Sequence, residues 1–215
     1  MSLEQISLFS ELSEGDLDAI SRLAVTRSFP KNTMIICEGD NSDSLYAILG
    51  GKVKVFLSDE DGKEVTLNLQ GAGEYFGELA LLDEAPRSAS VMTVEDSKLT
   101  IISKNAFDKC MQDNPDIALK VMRGLARRLR DLTENVRSLA LMDVYGRVAR
   151  MLLDMAEEKD NKLVIPQRLT QRDIASMVGA SREMVSRILR DLSTGGYITI
   201  HNKIITINER LPSGW

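Results

Sequence analysis

The sequence predicts an α+β chain in three parts. An N-terminal antiparallel β-roll with flanking helices occupies residues 1–113, a long dimerisation helix 114–138, and a winged helix-turn-helix 139–215. Three observations carry this. Short β-rich runs punctuated by Gly, Asn and Asp fill the stretch from about Arg27 to Ser103. An apolar stripe at three- and four-residue steps runs from Val121 to Leu139. Two short helical patterns joined by "VGAS" then precede two β runs about an Asn-Lys turn.

The opening "FSELSEGDLDAISRLA" spaces Leu12, Leu17, Ile20 and Leu23 as one or two short amphipathic helices. The runs "TMIICEG", "SLYAILGGKVKVFLS", "EVTLNL", "SASVMTV" and "SKLTIIS" follow, with glycines at 39, 50, 51, 62, 71, 73 and 77 between them. Many tight corners between short strands fit a compact antiparallel roll better than parallel βαβ units.

Asn114-Pro115-Asp116 marks a helix start, because proline suits the first turn and an acid complements the helix dipole. Val121, Leu125, Leu129, Leu132, Val136 and Leu139 then form a narrow stripe beside Arg127, Arg130, Asp131, Glu134 and Arg137. A core helix packed on the β domain would show such a stripe. The narrowness and charged flanks favour a parallel dimer helix. A further helix, "VYGRVARMLLDMAEEK", and a polar loop, "KDNK", lead to the last domain, with the hinge near Leu139 to Asp143.

In "RLTQRDIASMVGASREMVSRILRDLSTGGYITIHNKIITI", Thr170 and Asp173 have capping-box spacing, and Ile174, Ala175, Met177 and Val178 form an apolar face. Gly179 supplies the turn, Ser181 caps the next helix, and Val185, Ile188, Leu189 and Leu192 form its buried stripe. That leaves Arg182, Glu183, Ser186, Arg187 and Arg190 for the exposed side. Alone, this face reads equally as a solvated surface with a Glu183–Arg187 pair at i,i+4. Inside a helix-turn-helix it is the DNA-reading face, since arginine can donate twice to guanine and glutamate can accept from cytosine N4.

The overall charge of −5 argues against a nucleic-acid partner only until the chain is divided. From Leu139 onward, eleven Lys/Arg stand against nine Asp/Glu, a net of +2, and the remainder carries −7. The halves therefore expect different partners. A hydrophobic share of 43% and a charged share of 27% are globular values that exclude overall disorder. Cys37 and Cys110 are too few for a disulfide framework or a four-thiolate site, and they suit a reducing cytoplasm as buried, inert thiols. No secretory signal or membrane-length apolar run is expected. No P-loop, GxSxG or Ser/Cys–His set points to an enzyme.

The stretch "GELALLDEAPRSAS", residues 77–90, gathers a carboxylate, a guanidinium and a hydroxyl in one short segment. On residues alone, a Glu–Arg bridge capping a loop explains it better than a ligand site does.

"VGASREMVSRIL" resembles the recognition element of the cyclic-AMP receptor (CRP/FNR) family of bacterial regulators, and "FGELALLDEAPRSASV" resembles that family's phosphate-binding cassette. "LARRLRDLTENVRSLALMDVYGRVARMLL" is similar to its dimerisation helix and hinge, so the resemblance covers nearly the whole chain. It implies that Glu78 binds a ribose 2′-hydroxyl and that Arg87 and Ser88 bind a cyclic phosphate, with Gly77 and Leu79 offering backbone groups. Arg128 matches a family arginine that approaches the pocket. Leu132 and Thr133 match a Thr-Ser pair that holds the adenine amino group, the second reaching across from the partner subunit. Thr133 keeps a hydroxyl, whereas Leu132 departs from the pattern and leaves base selectivity open.

On the DNA side the resemblance makes Arg182, Glu183 and Arg187 the readers of TGTGA-like half-sites arranged as a palindrome, with Ser186 on the same face. It makes Thr170, Gln171 and Ser181 phosphate contacts. The expected protein is a cytoplasmic homodimeric transcription regulator, an activator that meets RNA polymerase, with cyclic AMP as allosteric effector. Cyclic GMP, cyclic di-GMP, another small molecule or constitutive binding are the alternatives. Iron–sulfur and haem sensing, or any metal, are not expected, because the chain has two cysteines and its single histidine, His201, falls in the wing. "EEKDNKLVIPQ" resembles the region where family activators meet polymerase but is shorter, and no contact residue carries over.

Overall fold

The computed structural model describes residues 3–10, 12–41, 43–159 and 162–212. The chain divides into two compact units, Met1–Leu57 with Leu67–Arg130 and Ser58–Thr66 with Asp131–Trp215. Among the described residues no helix is long and apolar enough to cross a membrane.

The first unit opens with a 3-10 turn at Leu3–Gln5 and α1 at Glu14–Leu23. Ser13 caps α1, its Oγ accepting from the Asp16 N–H at 3.3 Å. Eight strands follow: β1 (Val25–Phe29), β2 (Met34–Ile36), β3 (Ser44–Gly50), β4 (Lys52–Ser58), β5 (Glu64–Gly71), β6 (Tyr75–Phe76), β7 (Ser90–Thr93) and β8 (Ser97–Ser103). They form two four-stranded sheets, ordered β1-β8-β3-β6 and β2-β7-β4-β5. The pairs β1–β8, β3–β8, β3–β6, β2–β7 and β4–β7 are antiparallel, as the sequence pattern predicts.

Ile36, Ile48, Val53, Phe76, Val91 and Leu99 bury their side chains together as one core cluster. A second core lies under the helices. There Leu17 and Ile20 of α1, Phe107 and Cys110 of α3 (Lys104–Asp113), and Ile117 and Val121 of α4 (Pro115–Leu141) pack with Leu45 and Ala47.

The apolar stripe of α4 therefore has two fates. Val121 is sealed in the core under the helices, while Leu132, Val136 and Leu139 face solvent, Val136 at 64% exposure. The expected core-facing helix describes the first stretch, whereas the second leaves its apolar side chains exposed.

In the second unit α5 (Val144–Asp154) follows a short hinge. Asp143 caps it, its Oδ1 accepting from Gly146 N at 2.7 Å. Arg147 ties this hinge to the domain beyond, donating to Met142 O at 2.9 Å and to Val178 O at 2.8 Å. Strands β9 (Glu157–Lys159) and β10 (Lys162–Ile165), helices α6 (Gln171–Val178) and α7 (Arg182–Thr194), and strands β11 (Ile198–His201) and β12 (Ile204–Ile207) complete it. Leu152, Ile165, Ile174, Val185, Leu192 and Ile198 make its core.

One expectation is corrected here. The helix read through "VYGRVARMLLDMAEEK" stops at Asp154, and Glu157–Lys159 is a strand. β10 pairs with β12 on one side and with β9 on the other, giving a sheet ordered β11-β12-β10-β9. A helix continued to Lys159 would leave one edge of β10 with unpaired backbone groups, so sheet pairing overrides the local helical pattern. Within "KDNK", residues 160 and 161 lie outside the described residues.

Candidate functional site

Strand β6 runs directly into Gly77 and Glu78, and the single-turn α2 (Leu79–Leu82) follows. Gly77 holds φ at 85°, a backbone that favours glycine, and a Cβ there would stand 2.7 Å from Arg87 Nη1. The glycine is thus required twice, by its backbone angle and by the guanidinium beside it.

Arg87 is buried at 4% exposure and donates to Gly77 O and Ser44 O, each at 2.6 Å. Its own backbone donates to Asp40 O at 2.9 Å and accepts from Gly39 N at 2.8 Å, which fastens this loop to the neighbouring turn. The guanidinium also lies 5.9 Å from the centre of the Tyr46 ring, which stacks on Phe76 at 5.0 Å. Ser88 follows with an exposed side chain.

Glu78 is 1% exposed. Its Oε1 accepts from Arg128 Nη1 of α4, while Oε2 is buried with no hydrogen-bond partner among the described residues. Burial pushes its pKa up, against the opposing pull of Arg128 and then Arg87. A buried carboxylate oxygen lacking a donor is costly unless a donor arrives, and a ligand hydroxyl would satisfy it. Arg128 is held in turn by Tyr75, donating to its carbonyl at 2.5 Å and lying 5.0 Å from its ring centre.

The Glu–Arg bridge read from residues alone does not form within the loop: Glu78 finds its partner on the long helix, in the Arg128 that the family resemblance brings near the pocket. Gly77, Glu78, Leu79, Arg87, Ser88 and Arg128 all belong to the first unit, with Leu79 exposed at 43%. Leu132 and Thr133 follow Arg128 by four and five residues along α4, both exposed. Sequence reasoning missed Tyr75, Ser44 and Tyr46. Two of these act through backbone carbonyls, which leave no mark on residue type.

The second constellation is built by local capping. Thr170 and Asp173 form the full capping box at the start of α6: Thr170 N donates to Asp173 Oδ2 at 2.7 Å, and Asp173 N donates to Thr170 Oγ1 at 3.2 Å. Gly179 takes left-handed angles of 63° and 46°, and Ser181 caps α7 by accepting from Met184 N at 3.2 Å. Val185, Ile188, Leu189 and Leu192 face inward, so Arg182, Glu183, Arg187 and Arg190 are exposed, with Ser186 and Gln171 half-buried.

The caps divide the hydroxyls. Thr170 Oγ1 spends its proton on Asp173 Oδ2 at 2.7 Å, whereas Ser181 Oγ only accepts in its cap and keeps its own proton to give. Arg187 Nη2 rests 2.9 Å from Met184 Sδ. At the wing tip Asn202 and Lys203 hold φ at 50° and 65°, the paired left-handed conformation of a tight hairpin turn.

Cys37 is exposed and Cys110 buried, and burial pushes the Cys110 thiol up to about 11. The expectation that both thiols are buried therefore fails for Cys37, which lies on the turn after β2. Among the described residues no group of three or more His, Cys, Asp or Glu is arranged to hold a metal ion.

Residues 26–114 match the cyclic nucleotide-binding domain, and residues 146–210 match the Crp-like helix-turn-helix domain. A CRP-like cAMP-activated global transcriptional regulator of Mycobacterium tuberculosis H37Rv is 33% identical over 211 residues, spanning 96% of this chain and 94% of the relative. The cAMP-activated global transcriptional regulator CRP of Escherichia coli O157:H7 is 36% identical over 184 residues, spanning 83% and 87% respectively. Among solved structures, the c-di-GMP responsive global regulator CLP of Xanthomonas campestris matches with a TM-score of 0.81 at 28% identity, covering 92% of this chain and 100% of that one.

Proposed function

The chain belongs to the CRP/FNR family and is a cyclic nucleotide-binding, DNA-binding transcription regulator, and from that premise we propose that its effector is cyclic AMP and that ligand controls its promoter binding. The observation that carries the reading is the buried pair of Glu78 and Arg87, with Glu78 Oε2 lacking a donor. A ribose 2′-hydroxyl donates to that oxygen. Arg87 and the Ser88 hydroxyl hold the cyclic phosphate, as a guanidinium pairs with phosphate oxygens through charge-assisted bonds. Gly77 and Leu79 contribute backbone groups, and Arg128 borders the site. Leu132 and Thr133 meet the base, Thr133 from the partner subunit.

Residues 1–113 serve as sensor, 114–138 as dimer helix and 139–215 as DNA-binding domain. The exposed stripe at Leu132, Val136 and Leu139 forms the seam of a homodimer. Two-fold symmetry then presents two α7 helices to a palindrome of TGTGA-like half-sites. Arg182, Glu183 and Arg187 read bases there, with Ser186 beside them. Gln171 and Ser181 position the phosphates, and Thr170, its N–H and hydroxyl both given to Asp173, fixes the start of α6 beside them. Ligand acts by population shift, favouring one arrangement of α4. The regulator works in the cytoplasm and meets RNA polymerase at the promoter, as activator or as repressor.

A second reading rests on Leu132, which offers the base no hydrogen bond: the same fold then senses cyclic GMP or cyclic di-GMP. A mobility-shift titration on a palindromic TGTGA site, at fixed salt, with no ligand and with each of the three nucleotides, separates them. Strong tightening by cyclic AMP alone is the expected result. Equal binding under all four conditions would overturn the effector reading and leave a constitutive DNA-binding protein.

A further inference from the structure

Gly124 lies in the interior of α4, where glycine is a poor helix residue compared with alanine. A Cβ built there would lie 2.6 Å from Tyr75 Oη and 3.7 Å from Tyr75 Cζ. The first distance is a collision and the second an ordinary contact, so the phenol oxygen alone demands glycine. Tyr75 cannot swing aside cheaply. It is 5% exposed and packs with Leu45, Ala47 and Val121 in the core under the helices.

The same tyrosine grips α4 again one turn on. Arg128, four residues after Gly124 and on the same helix face, donates to the Tyr75 carbonyl at 2.5 Å and lies 5.0 Å from the ring centre. Arg128 then carries a hydrogen bond to Glu78, three residues beyond Tyr75. Burial and the neighbouring Glu78 charge push the Tyr75 phenol up, so it stays neutral and does not compete for Arg128 as an anion.

We propose that Tyr75 is a positioning residue whose hydroxyl end, seated on Gly124, sets the place of α4 against the cassette and so aims Arg128 at Glu78. A ribose that claims Glu78 changes the grip of Arg128, and the helix registers the change because its position is indexed at Gly124. The proposal rests on the cyclic nucleotide reading of Glu78 and adds the residue pair through which the helix senses it.

The test uses the full-length protein in four forms: wild type, Gly124→Ala, Tyr75→Phe, and the double variant. Thermal unfolding reports folding, calorimetry reports cyclic AMP affinity, and mobility shift reports the ratio of DNA affinity with and without cyclic AMP. Gly124→Ala should lower that ratio by about tenfold or more, because the added methyl displaces α4 and Arg128 with it. Tyr75→Phe keeps ring and carbonyl but empties the seat, so the ratio should fall, though by less than in Gly124→Ala. The double variant should recover the wild-type ratio, since the remaining 3.7 Å approach is ordinary contact. A Gly124→Ala protein too unstable to assay, beside a folded and responsive double variant, supports the same seat.

An unchanged ratio in Gly124→Ala, or a double variant no better than Gly124→Ala, overturns the assignment of Tyr75 while leaving the effector reading intact. A wild-type protein indifferent to cyclic AMP overturns the effector reading and this role together.

Discussion

Replacing Gly77 with alanine tests the cassette's construction. The residue holds φ at 85°, a conformation that costs an L side chain about 1–2 kcal/mol. The new Cβ would also stand 2.7 Å from Arg87 Nη1 and 3.2 Å from Ser44 O. The guanidinium must retreat, weakening its bonds of 2.6 Å to Gly77 O and Ser44 O. A hydrogen bond to a charged group is worth about 1.5–3 kcal/mol, so losing one of them brings the expected destabilisation to about 3 kcal/mol. Gly62 supplies the control. It has φ at 75° but nothing within 4 Å of its Cβ position, so Gly62→Ala bears only the backbone cost, about 1 kcal/mol. Urea titrations of the two variants beside wild type separate the terms. Calorimetry with cyclic AMP should show Gly77→Ala weakened about tenfold or more, because tenfold corresponds to roughly 1.4 kcal/mol and the head group proposed to hold the cyclic phosphate has moved. If Gly77→Ala costs no more than Gly62→Ala and binds ligand normally, the packing of Arg87 against Gly77 is refuted.

Glu78→Gln should change the pH dependence of stability. Burial holds the Glu78 carboxyl above its ordinary value near 4.5 in the folded chain. The unfolded chain therefore releases its proton first as pH rises, and stability falls between the ordinary and the raised value, with the loss complete above the latter. Glutamine removes this component, so the variant gains on wild type across that window in urea titrations run at several pH values. A constant difference refutes the assignment. Arg182→Ala should cost about 1–3 kcal/mol on a TGTGA site and little on random DNA in mobility shifts, and equal losses on both would remove it from the base readers. Val136 is 64% exposed on α4, and if the proposed homodimer forms there, Val136→Glu should leave the protein monomeric in sedimentation beside a dimeric wild type, whereas a persisting dimer would place the seam elsewhere.

The elements legible in the sequence are those written in bonds between near neighbours. The Thr170–Asp173 box, the Ser181 cap, the left-handed Gly179 and the Asn202–Lys203 turn each close within four residues, so residue type and spacing state them fully. Where a segment's partners are distant, the local pattern misleads. Glu157–Lys159 reads as the tail of a helix until β10 claims it, and β6 is too short, at two residues, to show a period.

The sequence by itself determined the order of domains, the stripe of α4 and the presence of a carboxylate, a guanidinium and a hydroxyl between residues 78 and 88, because chain order and side-chain chemistry survive without coordinates. Tertiary structure alone decided that Glu78 meets Arg128 from 50 positions away, that Arg87 rests on two carbonyls, and that α4 needs a glycine under Tyr75. Backbone acceptors and the space beside an atom have no letter in the sequence. They exist only once distant segments are packed against one another.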